Sequence, residues 1–214
     1  MRSLIAVSTL VLITACSTTP YAPPVEADAP VELAVIPSAF GLAMDTVDQL
    51  VEAGNEQQAI DRIKQLLGNP ELTDDEKAEA LMKLGTLRYS DGNDVMGAIE
   101  AWDELIDTYP ASTFAFEASP LRDTARGEAT SLNSAIERGE LSPTDEFEAI
   151  FRLGDHQAAA DLMLDRNLSP DNPYLVDMFQ IGYLCDDSNL TGPSYDMVEP
   201  DGTARTVRFC EFGK

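Results

Sequence analysis

From about residue 43 onward the apolar residues recur with helical spacing, and a glycine is twice followed five residues later by an alanine. Thr46 to Val51 leads into Gly54, and Ala59, Ile60, Ile63, Leu66 and Leu67 then mark one face of a second helix. Positions i, i+1, i+4, i+7 and i+8 form a buried helical stripe, so a β fold is excluded for this stretch. Thr73-Asp74-Asp75-Glu76 has the form of a capping box, in which a hydroxyl and a carboxylate satisfy the free amides of a helix start. The helix it opens carries Leu81, Leu84, Gly85 and Tyr89. Its partner after Gly92 carries Ala98, Ile99, Trp102, Leu105 and Ile106 and ends at Tyr109-Pro110. Farther on, Ser142-Pro143 is a helix opening, with a capping side chain and a proline in the first turn. Phe147, Ile150 and Phe151 precede Gly154, and Ala159 follows it by five.

Leu84-Gly85, Gly92, Ala98, Trp102 and Pro110 follow the order of a tetratricopeptide repeat, and the chain resembles that family over about half its length. Gly92 and Ala98 are one residue farther apart than the family spacing, which predicts that the two helices of this pair are out of phase by one. The physical demand behind the pattern is close approach. Gly85, Ala59, Ala98 and Ala159 let helices pack at short range while Trp102 and the leucines fill the space beside them. Leu121, Ala125, Ala129, Leu132 and Ile136 form one further stripe, closed by Gly139 at a helix C-cap position. This helix does not match the repeat and is expected to pack across the ends of the flanking pairs.

The first residues carry a different message. Arg2 precedes an apolar run from Leu4 to Thr14, which is too short for a membrane span and reads as a secretory leader. Ile13-Thr14-Ala15-Cys16 resembles a bacterial lipobox, whose cysteine is diacylated and becomes the new N-terminus. The resemblance implies lipidation at Cys16 and anchoring by acyl chains, each buried CH₂ contributing about 0.8 kcal/mol. Ser17, a non-acidic residue, implies export to the periplasmic face of the outer membrane. Pro20, Pro23, Pro24, Pro30 and Pro37 then make an extended tether. The expected organisation is therefore a leader over 1–15, a lipidated Pro-rich tether over 16–42, a tetratricopeptide-like domain over 43–167, and a C-terminal segment over 168–214.

In that last segment Asp171-Asn172-Pro173 opens a short helix, and Glu199-Pro200-Asp201-Gly202 is a turn signal between two alternating runs. A β-hairpin is expected, capping the open end of the helical stack. Cys185 and Cys210 are either two buried thiols or a pair. The export implied by the leader favours a disulfide tying the hairpin to the end of the preceding helix.

Thirty-eight acidic residues against 14 basic ones leave a formal net charge of −24. Nucleic acid and anionic lipid surfaces are thereby poor partners, since no basic face exists to displace counterions. A single histidine, His156, excludes a multi-His metal site. It is expected as a solvated loop residue. Asp74-Asp75 lies in a helix first turn, where negative charge is favourable, and Asp186-Asp187 lacks the alternation of a calcium loop. No nucleophile elbow, phosphate loop or zinc-protease motif is present. The expectation is a mainly α, α-solenoid protein with no catalytic residue, no metal and no cofactor.

What the family resemblance implies is an interaction scaffold for envelope proteins or peptides, in outer-membrane protein, secretin or pilus, or peptidoglycan-linked assembly. Its groove is implied on the first helix of each pair, at Met44, Asp48, Met82, Thr86 and Tyr89. The alternative is a permanent structural subunit of an outer-membrane complex without an exchangeable ligand.

Overall fold

A computed structural model describes residues 38–90, 92–186 and 189–210. The leader, Cys16 and the tether as far as residue 37 lie outside the described residues. Among the described residues eight helices precede a small antiparallel sheet: α1 (Ala39–Glu52), α2 (Glu56–Leu67), α3 (Asp74–Ser90), α4 (Val95–Thr108), α5 (Thr113–Arg138), α6 (Pro143–Leu153), α7 (His156–Arg166) and α8 (Asn172–Gln180), then β1 (Leu184–Cys185), β2 (Ser194–Val198) and β3 (Ala204–Phe209). The fold is mainly helical.

The first helix begins at Ala39, inside the range expected as tether. Ser38 explains this, because its hydroxyl accepts from the Gly41 amide at 3.0 Å and so caps the first turn. Phe40, Ala43 and Val47 are then buried on one face, against Ile60 and Ile63 of α2 and Leu84 of α3. The capping box forms as read: Glu76 N donates to Thr73 Oγ1 at 3.2 Å, and Thr73 N donates to Glu76 Oε2 at 2.9 Å.

Three connections share one geometry. Gly54, Asn93 and Gly154 adopt left-handed conformations with φ of 72°, 45° and 92°. The next residue, Asn55, Asp94 or Asp155, stands at the N-cap of α2, α4 or α7. Ala59, Ala98 and Ala159 follow the left-handed residue by five in each case, and all are 0% exposed.

This corrects the expected one-residue phase shift. The left-handed residue of the second turn is Asn93, not Gly92, since asparagine is among the few non-glycine residues that tolerate αL. The additional residue is absorbed where α3 ends. There Asp94 N reaches back to Arg88 O, whereas Asn55 N reaches Leu50 O and Asp155 N reaches Ile150 O, each one residue nearer.

The fifth helix also differs from expectation. It starts at Thr113 under the Ser112 side-chain cap, and its buried stripe is Ala115, Ala118, Ala125 and Ala129, with Leu132 and Ile136 partly buried. Leu121 is 38% exposed and does not belong to the stripe. Alanines allow the helix axis to approach closely, so α5 lies along α4 and touches α3 and α6, rather than crossing the ends of the pairs. Gly139, at φ 62°, ends it as read.

The C-terminal segment is a three-stranded sheet in the order β1-β3-β2, where a two-stranded hairpin was expected. Cys185 lies on β1, not at a helix end, and pairs in register with Arg208. Its Cα is 5.1 Å from that of Cys210, within disulfide distance. The β2–β3 turn forms as read, with Gly202 N donating to Glu199 O at 2.9 Å and Gly202 at φ 88°. Tyr195, Met197 and Val207 from the sheet share one core with Phe147 and Phe151 of α6, Met163 of α7 and Leu175 of α8. The segment thus seals the last helix pair, and it also reaches back across the turns of the first two.

Candidate functional site

The residues implied as a groove fall on two helices. Met44 and Asp48 are one turn apart on α1; Met82, Thr86 and Tyr89 share a face of α3. An ion pair joins the helices, with Lys83 Nζ 2.6 Å from Asp48 Oδ1. Asp48 is exposed, whereas Met44, Met82, Thr86 and Tyr89 are half-buried. Thr86 turns its hydroxyl inward, donating to Met82 O at 2.9 Å. Tyr89 is enclosed on several sides. Its ring centroid lies 5.7 Å from that of Trp102, and the Arg152 guanidinium stands 4.8 Å above it.

Arg152 also donates to the Tyr89 carbonyl, and its Nε donates to Glu128 Oε1 at 2.7 Å. Glu128 beside the Tyr89 hydroxyl raises the phenol pKa above its usual value. The Arg152 hydrogen bond lowers that of the Glu128 carboxyl. Tyr89 is therefore a structural rivet between α3, α5 and α6. The sequence carried no signal for this, because Glu128 and Arg152 are distant along the chain.

Along the turns between helices the C-terminal segment creates a cleft. The Gln180 side chain donates to Gly54 O at 2.6 Å, and Asn93 Nδ2 donates to Asp177 Oδ2 at 2.8 Å. Pro200, at the tip of the β2–β3 turn, packs on Gly54 so closely that a Cβ there would lie 2.9 Å from its Cγ. Around these three contacts the cleft has two lobes of about 500 Å³ each, which share Val176, Glu199 and Pro200. Asn55, Gln57, Gln58 and Gln180 line the first lobe; Glu56, Asn93, Asn172 and Asp177 line the second.

Burial raises the Asp177 carboxyl to about 6, with the nearby Glu56 charge adding to the rise and the Asn93 hydrogen bond opposing it. Neither a family model, nor a curated protein, nor a solved structure matches the chain. The lining contains amides and carboxylates but no Lys, Arg, His, Ser, Thr or Cys. Such a surface accepts and donates hydrogen bonds and favours positive charge.

His156 is not the solvated residue expected. It opens α7, with its ring 4.6 Å from that of Phe151 and its imidazole beside the Asn93 main chain. Burial lowers its pKa, and its Nε2 is buried without a hydrogen-bond partner among the described residues. Asn93 thus stands between the His156 imidazole and the Asp177 carboxyl, to which its amide donates.

Asp94 locks the neighbouring turn. Its Oδ1 accepts from Gly97 N at 2.8 Å, its Oδ2 lies 3.4 Å from Arg88 Nε, and a Cβ on Gly154 would come within 2.9 Å of its Cγ. Asp186 pairs with Arg205 Nη1 at 2.6 Å, while Asp187 lies outside the described residues. Among the described residues no group of three or more His, Cys, Asp or Glu side chains is placed to hold a metal ion. No described helix is long and apolar enough to cross a membrane.

Proposed function

We propose that this chain is a lipid-anchored periplasmic scaffold that holds envelope proteins or peptides on tetratricopeptide-like helix pairs. The observation that carries the reading is the recurrence of one turn. A left-handed residue, an N-cap and an alanine five residues on appear at Gly54, Asn93 and Gly154. Repetition of one helix-turn-helix unit is what an extended binding surface is built from. The anchoring half of the reading rests on Ile13-Thr14-Ala15-Cys16 and the apolar run before it. A cleft lined by amides and carboxylates, without a nucleophile beside a base, suits recognition better than turnover.

The alternative of a permanent structural subunit calls for a broad exposed apolar patch. Among the described residues the large exposed apolar side chains, Leu42, Met96, Phe116, Leu121, Leu164 and Val198, come from α1, α4, α5, α7 and β2. Phe116 and Leu121, both on α5, are five residues apart and so about 140° apart around the helix. These two side chains therefore do not share one apolar face of α5.

The test has two parts. Cys16→Ser should move the protein from the membrane to the soluble periplasmic fraction, and continued membrane fractionation would remove the lipid anchor from the reading. In-cell crosslinking of the wild type should then capture a partner in substoichiometric, exchangeable amounts. A fixed stoichiometric complex would favour the structural subunit instead.

A further inference from the structure

We propose that the two-lobed cleft between the helix turns and the C-terminal segment binds an extended, Lys- or Arg-bearing segment of a partner protein. The inference rests on the adaptor reading and names its site and the partner's chemistry.

The cleft already shows how it treats main chain. Asn172 uses its side-chain amide as a surrogate strand: Nδ2 donates to Val198 O at 2.9 Å, and Oδ1 accepts from Val198 N at 2.7 Å. Gln180 does half of the same to Gly54 O. A carboxamide carries a donor and an acceptor in one plane, which matches an extended peptide group. Asn55 and Gln58 present further amides in the lobe beside Gln180, while the Gln57 Nε2 donates to Asp61 Oδ1 at 3.1 Å. Asn55 makes no side-chain cap bond to α2. Each lobe, at about 500 Å³, falls within the size range of ligand-binding clefts.

Charge selects the side chains. Glu56, Asp177, Glu199 and Asp201 border the lobes, and no lining residue is basic. Glu199 is paired with Arg205. Glu56 and Asp201 have no ion-pair partner among the described residues. With a chain charge of −24, an anionic ligand is repelled at long range and again at contact, while a basic segment is drawn in. Val176 and Pro200 supply apolar wall for the stems of Lys and Arg, and the Phe179 ring already carries the Arg205 guanidinium 5.6 Å from its centroid, which shows the lobe holding a cation of this kind. The helix-face groove is the weaker site, because Tyr89 is already held by Trp102, Arg152 and Glu128.

The experiment uses the full chain in detergent and a fluorescein-labelled peptide of sequence KVKSKVKSK, followed by anisotropy at physiological ionic strength. Companion peptides carry Gln or Glu in place of Lys. The Lys peptide should bind, the Gln peptide more weakly, and the Glu peptide not at all. Gln58→Lys, which adds one cation to the first lobe, should weaken the Lys peptide by about tenfold, whereas Thr130→Lys on the exposed side of α5 should weaken it less than about twofold.

Equal weakening by both variants would mean that the overall charge, not the cleft, binds the peptide, and would overturn the proposal. Indifference to Lys, Gln and Glu would do the same. A photo-crosslinker placed in cells at Gln58 or at Met82 separates the two levels of the reading. A partner captured from Met82 alone leaves the adaptor standing and moves its site to the helix face. Capture from neither position, with no peptide binding, ends both.

Discussion

Gly85 of α3 faces the indole of Trp102 of α4 so closely that a Cβ on Gly85 would lie 2.4 Å from Trp102 Nε1 and 2.6 Å from Cδ1. Trp102 is 1% exposed, and its Nε1 has no hydrogen-bond partner among the described residues. The indole is therefore held there by packing alone, and the missing side chain at position 85 is what makes room for it. Gly85→Ala should destabilise the protein by about 1–3 kcal/mol through overpacking, with Gly85→Leu worse. Urea unfolding followed by the fluorescence of Trp102, the sole tryptophan, measures this directly. An unchanged midpoint would mean that α3 and α4 are not in close contact.

Asn93 separates two effects that are usually confounded. Its φ of 45° strains any β-carbon-bearing residue other than Asn or Asp, and its amide bonds Asp177. Asn93→Gly keeps the conformation and loses only the amide, costing about 1–2 kcal/mol. Asn93→Ala loses both and should be about 1 kcal/mol worse than the glycine variant. Thermal or urea unfolding of the two side by side checks it, and equal stabilities would remove the left-handed turn from the account.

Asp177 predicts a pH dependence of definite sign. Its carboxyl titrates at about 6 in the fold, against an ordinary value of 3.8. A raised value means that the folded state holds the proton more tightly. Its contribution is thus complete below the ordinary value and is lost as the pH rises through about 6. His156, depressed by burial, acts in the opposite sense: its contribution is present above 6.5 and is lost as the pH falls through its lowered value. Asp177→Asn leaves the His156 effect untouched and lets the new amide still accept from Asn93. The variant should exceed wild type in stability by roughly 1–2 kcal/mol at pH 7.5, with the advantage gone near pH 4. A constant difference across that range would mean that Asp177 is not buried against the second turn.

The Cys185–Cys210 pair closes a loop of sequence separation 25 around the whole of β2 and the turn beyond it. Cys210→Ser, or reduction, should cost about 3 kcal/mol in a chain-entropy estimate. The loss should be local. Hydrogen exchange should accelerate at Tyr195, Met197 and Val207 well before it does at Leu81 or Leu105. Uniform acceleration would show instead that the sheet and the helix pairs unfold as one unit.

What the sequence by itself determined is local. The apolar spacing of Ala59, Ile60 and Ile63, the Thr73–Glu76 box, Ser142-Pro143 and the Glu199–Gly202 turn each act over one or two helical turns of chain, and each forms as read. Gly85 belongs with them, since a glycine amid a leucine-rich helix already demands a close neighbour. Tertiary structure decided whatever depends on residues far apart in sequence. The register of the second turn passed to Asn93 because the end of α3 absorbed an additional residue. Helix α5 came to lie along α4 because alanines admit close contact, and no one-dimensional pattern says which helix will use it. Tyr89 became a rivet, and Cys185 a strand residue, only once Glu128, Arg152 and β3 arrived from elsewhere. The cleft is the clearest case. Gly54, Asn93, Asp177, Gln180 and Pro200 are unremarkable where they stand in the chain, and they become a site because the first two helix turns present a surface on which the C-terminal segment can rest.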